Sequence, residues 1–164
     1  LMTFIIREAT SQDFEAIWPI FKQIVAKGET YAYDPAITKD DAFQAWMAAP
    51  LKTFIAVDND QVLGTYMLKP NQPGLGAHVC NCGYMVAETA RGKGIASRLC
   101  EHSQDIARTL GFQAMQFNLV VSTNEGAVRL WQKLGYEIAG ILPRAFNHRT
   151  HGFVDAYVMY KWLL

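Results

Sequence analysis

What this chain lacks narrows its function before any motif is read. It has three cysteines in 164 residues, Cys80, Cys82 and Cys100, too few and odd in number for a disulfide framework and in keeping with a reducing compartment. It lacks net charge, fifteen Lys and Arg balancing fifteen Asp and Glu, so no overall field draws in nucleic acid or an anionic membrane. No apolar run approaches the roughly 18 residues of a membrane span, and the start does not read as a signal peptide. The expectation is a cytoplasmic protein with a small or local partner, no nucleic acid and no membrane. Leu1 ahead of Met2 reads as an addition before the natural start. With no repeats, low-complexity segments or linkers, residues 1–164 are expected to form one domain, burying roughly two-thirds of the unfolded surface.

What is present is a patterned hydrophobic half of the sequence. "TFIIRE" (3–8) reads as a strand, and Thr10-Ser11-Gln12-Asp13 resembles a capping box before a helix. Phe14, Ile17, Trp18, Phe21, Ile24 and Val25 keep helical spacing up to Gly28, with a kink expected at Pro19. Thr38 is placed to cap a helix over 39–49, after a loop carrying Tyr31 and Tyr33. Runs 53–57 and 62–69 read as a hairpin around a four-residue polar turn. A strand at 78–86, a helix at 94–110 and a strand at 113–121 form a β-α-β unit, whose strands are parallel if they share a sheet. A helix over 125–134 and strands at 136–142 and 153–163 complete the chain, with "PRAFNHRTHG" (143–152) read as a loop.

The turn inside the β-α-β unit, "ETARGKGIASRL" (88–99), carries the chemistry. A helix start leaves about four N–H groups unpaired and attracts anions. Gly92, Gly94 and Ala96 permit close approach to those amides, and Arg91 and Lys93 add formal charge. A pyrophosphate fits such a surface; an ordinary loop with solvated cations is the alternative. A P-loop requires Ser or Thr after the lysine, where Gly94 stands, and a dinucleotide motif requires glycine where Ser97 stands. Nucleotide hydrolysis and nicotinamide chemistry are therefore disfavoured.

Arg91-Gly92-Lys93-Gly94-Ile95-Ala96 resembles the Arg/Gln-x-x-Gly-x-Gly/Ala hallmark of the GNAT superfamily of acyl-CoA-dependent N-acetyltransferases. "NEGAVRLWQKLGY", with Asn124, Ala127, Leu130, Leu134, Gly135 and Tyr136 in that family's spacing, matches independently. The resemblance implies an α/β fold: about seven strands in a twisted mixed sheet splayed between the fourth and fifth strands, with about four helices. It implies acetyl-CoA as cosubstrate. No metal is expected: His78, Cys80 and Cys82 would share one strand face, but zinc sites more often use a tight C-x-x-C turn with a second pair elsewhere, and no such pair exists. The pyrophosphate would lie on the amides of Gly92, Lys93, Gly94, Ile95, Ala96 and Ser97 beside the charge of Arg91, and the pantetheine arm would pair with the backbone of Tyr84, Met85 and Val86. Asn124 would cap the last helix and contact CoA, and Trp131 would stand at its arm. A homodimer is compatible with this reading.

In the family a tyrosine seven residues after that asparagine often protonates the leaving thiolate. Here the position is Trp131, which carries no titratable proton; it would bond the sulfur, wall the tunnel, or simply pack. A CoA thiol leaves as thiolate at neutral pH for a penalty of roughly 2 kcal/mol, so transfer without an acid is feasible. Asn81 and Asn118, amides within apolar strands, are the candidate catalytic residues: they would bind the acceptor or polarise the thioester, or else bridge the backbone where the strands splay. Similar asparagines and a tryptophan at the 131 position occur in a GNAT subgroup acting on amino acids and proline analogues. Tyr31 and Tyr33 would line the acceptor pocket or pack. Arg144, His148 or Arg149 could reach an acidic substrate from the 143–152 loop. The resulting expectation is acetyl transfer to the amine of a small acceptor such as an amino acid. The alternatives are a non-catalytic acyl-CoA sensor, favoured by Trp131, and a peptide or protein N-acetyltransferase.

Overall fold

The computed structural model describes residues 3–164; Leu1 and Met2 lie outside the described residues. Seven strands form one sheet in the order β1-β2-β3-β4-β5-β7-β6. They are β1 (Ile5–Glu8), β2 (Lys52–Asp58), β3 (Gln61–Pro70), β4 (Val79–Val86), β5 (Ala114–Val121), β6 (Glu137–His148) and β7 (Gly152–Trp162). Helices α1 (Phe14–Lys27) and α2 (Lys39–Phe43) precede β2, α3 (Ile95–Thr109) links β4 to β5, and α4 (Glu125–Lys133) follows β5. All neighbouring pairs are antiparallel except β4 and β5, which are parallel as the β-α-β reading requires.

Each face of the sheet has its own core. On one side Phe14, Ile17, Phe21 and Val25 of α1 and Trp46 pack on Ile55, Met67 and Met85. On the other, Ile95, Leu99 and Cys100 of α3 and Trp131 of α4 pack on Leu68, Cys82, Tyr84, Met115 and Phe117. Alternation along β4 therefore sends Cys80, Cys82 and Tyr84 to the α3 side, and Asn81, Gly83 and Met85 to the α1 side.

Several local expectations are met by specific bonds. Asp13 accepts the Thr10 N–H at 2.7 Å, as a capping box should. Thr38 Oγ1 accepts the Asp41 N–H at 3.1 Å, and Gly28 closes α1 at φ 65 with its N–H on Val25 O. Others are corrected. The 58–61 turn is tighter than read: Asp58 pairs with Gln61, and Asn59 and Asp60 take positive φ of 47 and 67, as a two-residue primed turn demands. Pro19 lies inside an uninterrupted α1. The second helix loses α geometry after Phe43 and widens into a π turn over Gln44–Ala48. Trp46 in that turn is fully buried and donates from its indole to Thr65 Oγ1 at 3.0 Å.

The largest correction concerns 143–148. These residues continue β6 instead of forming a loop, because a bulge between Leu142 and Phe146 absorbs Pro143, which has no N–H to give. Arg144 takes φ 51 there and gives its N–H to the Asp155 carboxylate at 3.0 Å. His148 is buried, its Nδ1 accepting the N–H groups of Thr150 and His151. The hairpin tip is tied to the end of α1: Arg149 N–H reaches Gly28 O at 3.0 Å and its guanidinium reaches Ala26 O at 2.7 Å.

Asp13 also takes a two-pronged ion pair from Arg7, at 2.8 and 3.0 Å. That bond, with help from Thr10, lowers its pKa to about 2 from an ordinary 3.8. A depressed carboxylate contributes stability above its unfolded pKa and loses it as pH falls through the folded one. The stability gap between wild type and Asp13→Asn should therefore be constant above about pH 5 and close between about pH 4 and 2, as read by urea denaturation at stepped pH.

Candidate active site: a cleft through the sheet

β4 and β5 pair only at Val79–Ala114 and Cys80–Met115. In a continued parallel ladder Gln116 O would next receive the Cys82 N–H. Instead it receives Asn81 Nδ2 at 2.9 Å, and beyond that bridge the strands part. β5 stays with β7 through a bulge between Phe117 and Val120, while β4 stays with β3 as far as Val86. The gap between them is a cleft of about 860 Å³, within the usual size range of small-molecule sites.

The cleft is lined from both faces of the sheet. Tyr31, Tyr33, Lys69, Asn81 and Asn118 stand on the α1 side, and Ala127, Leu130 and Trp131 of α4 on the other. At one end lies the start of α3. Gly92 and Gly94 have φ 75 and 77, the left-handed region in which glycine carries little penalty, and a Cβ at either would meet nothing within 4 Å. The turn therefore keeps glycine for backbone shape and leaves an open cradle. Gly94 is the cap residue of α3, so the amides of Ile95, Ala96 and Ser97 begin the helix without intrahelical acceptors and border the cleft.

The electrostatics are simple. Lys69 and Arg91 are the charged lining residues, one toward each end, and no Asp, Glu or His lines the cleft among the described residues. Lys69 lies directly opposite Asn81 in the β3–β4 register and is exposed. The tyrosines around the cleft are held neutral: burial pushes the hydroxyls of Tyr31, Tyr84 and Tyr136 well up. Tyr84 Oη is spent on Ser103 Oγ at 2.6 Å.

The fold that carries this cleft is shared with known proteins. A family model described as the acetyltransferase (GNAT) family matches residues 3–136. The N-acetyltransferase aca1 of Schizosaccharomyces pombe is 32% identical over 151 residues, covering 82% of this chain and 72% of that protein. The chain belongs to the GNAT acetyltransferase family. It is an acyltransferase. A GCN5-related N-acetyltransferase from Kribbella flavida superposes with a TM-score of 0.92 at 47% identity over 97% of both chains. The yncA protein of Salmonella typhimurium, solved with its cofactor acetyl-CoA, shares the fold with a TM-score of 0.86 at 21% identity over 99% of this chain and 95% of that one.

Within this GNAT enzyme most residues singled out by sequence meet at the cleft, in differing roles. Tyr84, Met85, Val86, Arg91, Gly92, Gly94, Ile95, Ala96, Ser97, Asn124 and Trp131 all border it; Lys93 is exposed beside it and does not. Ile95 and Met85 also send their side chains into the two cores. Asn124 occupies the cap position of α4 but makes no side-chain capping bond, correcting that part of its expected role. Trp131 is both core and wall, packed on Tyr84 and Phe117 with ring centroids 5.1 Å away in each case. Arg144, His148 and Arg149 do not line the cleft. Cys80, Cys82 and Cys100 are buried free thiols. Lys69 was missed, although counting back along the 62–69 strand from its pairing with 78–86 brings it beside Asn81.

Asn81 is 8% exposed and its amide nitrogen is committed to Gln116 O. Removing it strands a carbonyl at the point where the sheet opens. Asn118 is exposed and linked only to Asn71 and Gln116 side chains, at 2.7 and 2.9 Å. Asn81→Ala should cost about 1–3 kcal/mol in chemical denaturation and Asn118→Ala within about 0.5 kcal/mol.

Proposed function

We propose that the protein transfers the acetyl group of acetyl-CoA to the amine of a small acceptor that carries a carboxylate, an amino acid or a close analogue. The observation that supports this most is the charge pattern of the cleft: a cation toward each end and no anion along it. The Arg91 end has the helix start and the glycine cradle that suit a pyrophosphate. The Lys69 end opens on the α1 side, where the acceptor would enter between Tyr31, Tyr33 and the two asparagines. Acetyl-CoA would enter from the α3 and α4 side, with its pantetheine arm along Tyr84 to Val86, and would supply the thioester.

The chemistry asked of the chain's own residues is modest. The acceptor nitrogen attacks the thioester carbon, a C–N bond forms, the C–S bond breaks, and the thiolate departs. With no carboxylate or imidazole lining the cleft, the amine arrives neutral, and the proton its nitrogen sheds after attack passes to water or to the departing thiolate. Asn81 orients it: the Nδ2 of this side chain is fixed on Gln116 O, while Oδ1 has no protein partner among the described residues and stands ready to accept an amine N–H. Asn118 would hold the acceptor's polar groups from β5. Trp131 would shield the sulfur and exclude water, a role needing bulk and no proton. Neutral tyrosines with raised pKa values are poor proton donors, so turnover would rely on the thiol's own acidity.

Two outcomes test this reading. Acetyl-CoA at 100 times its Kd should stabilise the wild type by about 2.7 kcal/mol in thermal unfolding, and Gly94→Asp, which sets an anion in the cradle, should abolish the shift. Turnover of alanine, leucine and proline should exceed that of alaninamide, leucinamide and prolinamide by about tenfold or more in kcat/KM, and Lys69→Met should erase most of that ratio while leaving acetyl-CoA affinity unchanged. Equal turnover of acids and amides by the wild type would turn the reading toward peptide N-termini.

A further inference from the structure

Tyr31 makes two hydrogen bonds to a single residue across the cleft. Its hydroxyl donates to Tyr84 O at 2.6 Å and accepts the Tyr84 N–H at 2.8 Å. In an extended strand the N–H and C=O of one residue point to the same edge, where a partner strand normally satisfies both. Tyr84 is in β4 beyond the last β5 pair, so its edge partner is missing. A phenol takes that place because it donates and accepts through one oxygen. The ring is braced for the task, stacked on Tyr33 with centroids 5.9 Å apart and set edge-on to Trp46 at 6.3 Å.

The same N–H and C=O belong to the stretch assigned above to the pantetheine arm, and this inference rests on that assignment. A tyrosine oxygen at 2.6 and 2.8 Å from Tyr84 O and N fills the space a ligand amide would need to pair with both groups. We infer that Tyr31 is a placeholder for acetyl-CoA: it pairs with β4 at Tyr84 in the free enzyme and leaves that position when the ligand arm pairs there. The physical motive lies in the free state. A splayed sheet leaves backbone groups of β4 without partners, and a buried unpaired amide is costly, while an open strand edge invites pairing with other chains. Tyr31 removes both problems at Tyr84 and in exchange lowers apparent cosubstrate affinity by the fraction of molecules in which it is closed. Its departure also moves the 29–37 loop, which carries Tyr33, so arrival of acetyl-CoA reshapes the acceptor side before the acceptor binds.

The signature of a placeholder is a substitution that improves binding. Tyr31→Phe keeps the ring and its stacking but loses the oxygen, so isothermal titration should show acetyl-CoA binding about tenfold tighter than to wild type. The free variant should melt lower, while the complex melts close to the wild-type complex. A merely structural tyrosine, or one that contacts the ligand, predicts equal or weaker binding, and either result overturns the inference. Should Tyr31→Phe fail to fold, the wild type decides through amide hydrogen exchange: displacement predicts that saturation with acetyl-CoA loosens the 29–37 loop while Tyr84 stays protected, and a loop equally or better protected in the complex contradicts it. Failure of wild type to bind acetyl-CoA would remove the CoA reading and this inference with it. Binding without tightening removes the inference alone.

Discussion

The structure turns on the place where β4 and β5 cease to pair. After two residue pairs the ladder ends, and a side-chain amide, Asn81 Nδ2, takes the carbonyl that the next backbone N–H would have used. Every feature of the cleft follows from that substitution. β4 keeps its other neighbour as far as Val86 and β5 keeps β7 by inserting a bulge at Asn118 and Leu119, so the sheet remains continuous at its base and opens at one end. The opening exposes two strand edges to each other across a gap, and the helix that connects them starts at its rim. Backbone groups of β4 released from the sheet thus face the cleft, and few ionisable side chains line it.

Keeping the gap open requires rigid walls, and these are aromatic. Tyr84, Phe117 and Trp131 form a mutually packed wall on the α3 side, continued by Tyr136 on Phe117 at 4.4 Å. Their hydroxyls are occupied below the cleft: Tyr84 by Ser103, and Tyr136 by Met115 Sδ at 2.8 Å and Gln104 at 3.4 Å. Lys161 closes this layer on Gln104 Oε1 and Leu134 O. These are structural bonds in a low-dielectric layer, and they withdraw the nearby phenols from proton transfer. On the α1 side Tyr31, Tyr33, Phe21 and Trp46 form the opposing wall, anchored by the β6–β7 tip through Arg149. The α1 side of the cleft is therefore framed by the N-terminal helix and the C-terminal hairpin together.

How much of this could be read from the sequence follows from the range of each signal. The 88–99 turn was legible because its requirements are local: a strand before it, an amphipathic helix after it, and glycines where φ is positive. Helix caps at Thr10, Thr38 and Gly28 were legible for the same reason. The extent of β6 was not, because Pro143 and the polar run to His151 resemble a loop until their partner strand is known, and a bulge is a property of a pair of strands. The bridge made by Asn81 could be posed but not decided, since its partner is 35 residues away. Tyr31 was visible as an aromatic in an acceptor loop, but its bond to Tyr84, 53 residues on, depends on the tertiary path of that loop. Lys69 needed a strand register, which the sequence implied only once the hairpin and the following strand were set against each other.

Whether backbone groups released at the splay and the α3 cradle together hold acetyl-CoA is read from amide chemical shifts of the nitrogen-15-labelled protein during titration with acetyl-CoA. The largest shifts are expected on Tyr84, Val86 and Gly92 to Ser97, with Trp131 Nε1 moving as well. Titration with no shifts at these amides, or shifts confined to the distant β1–β2 edge, would contradict it.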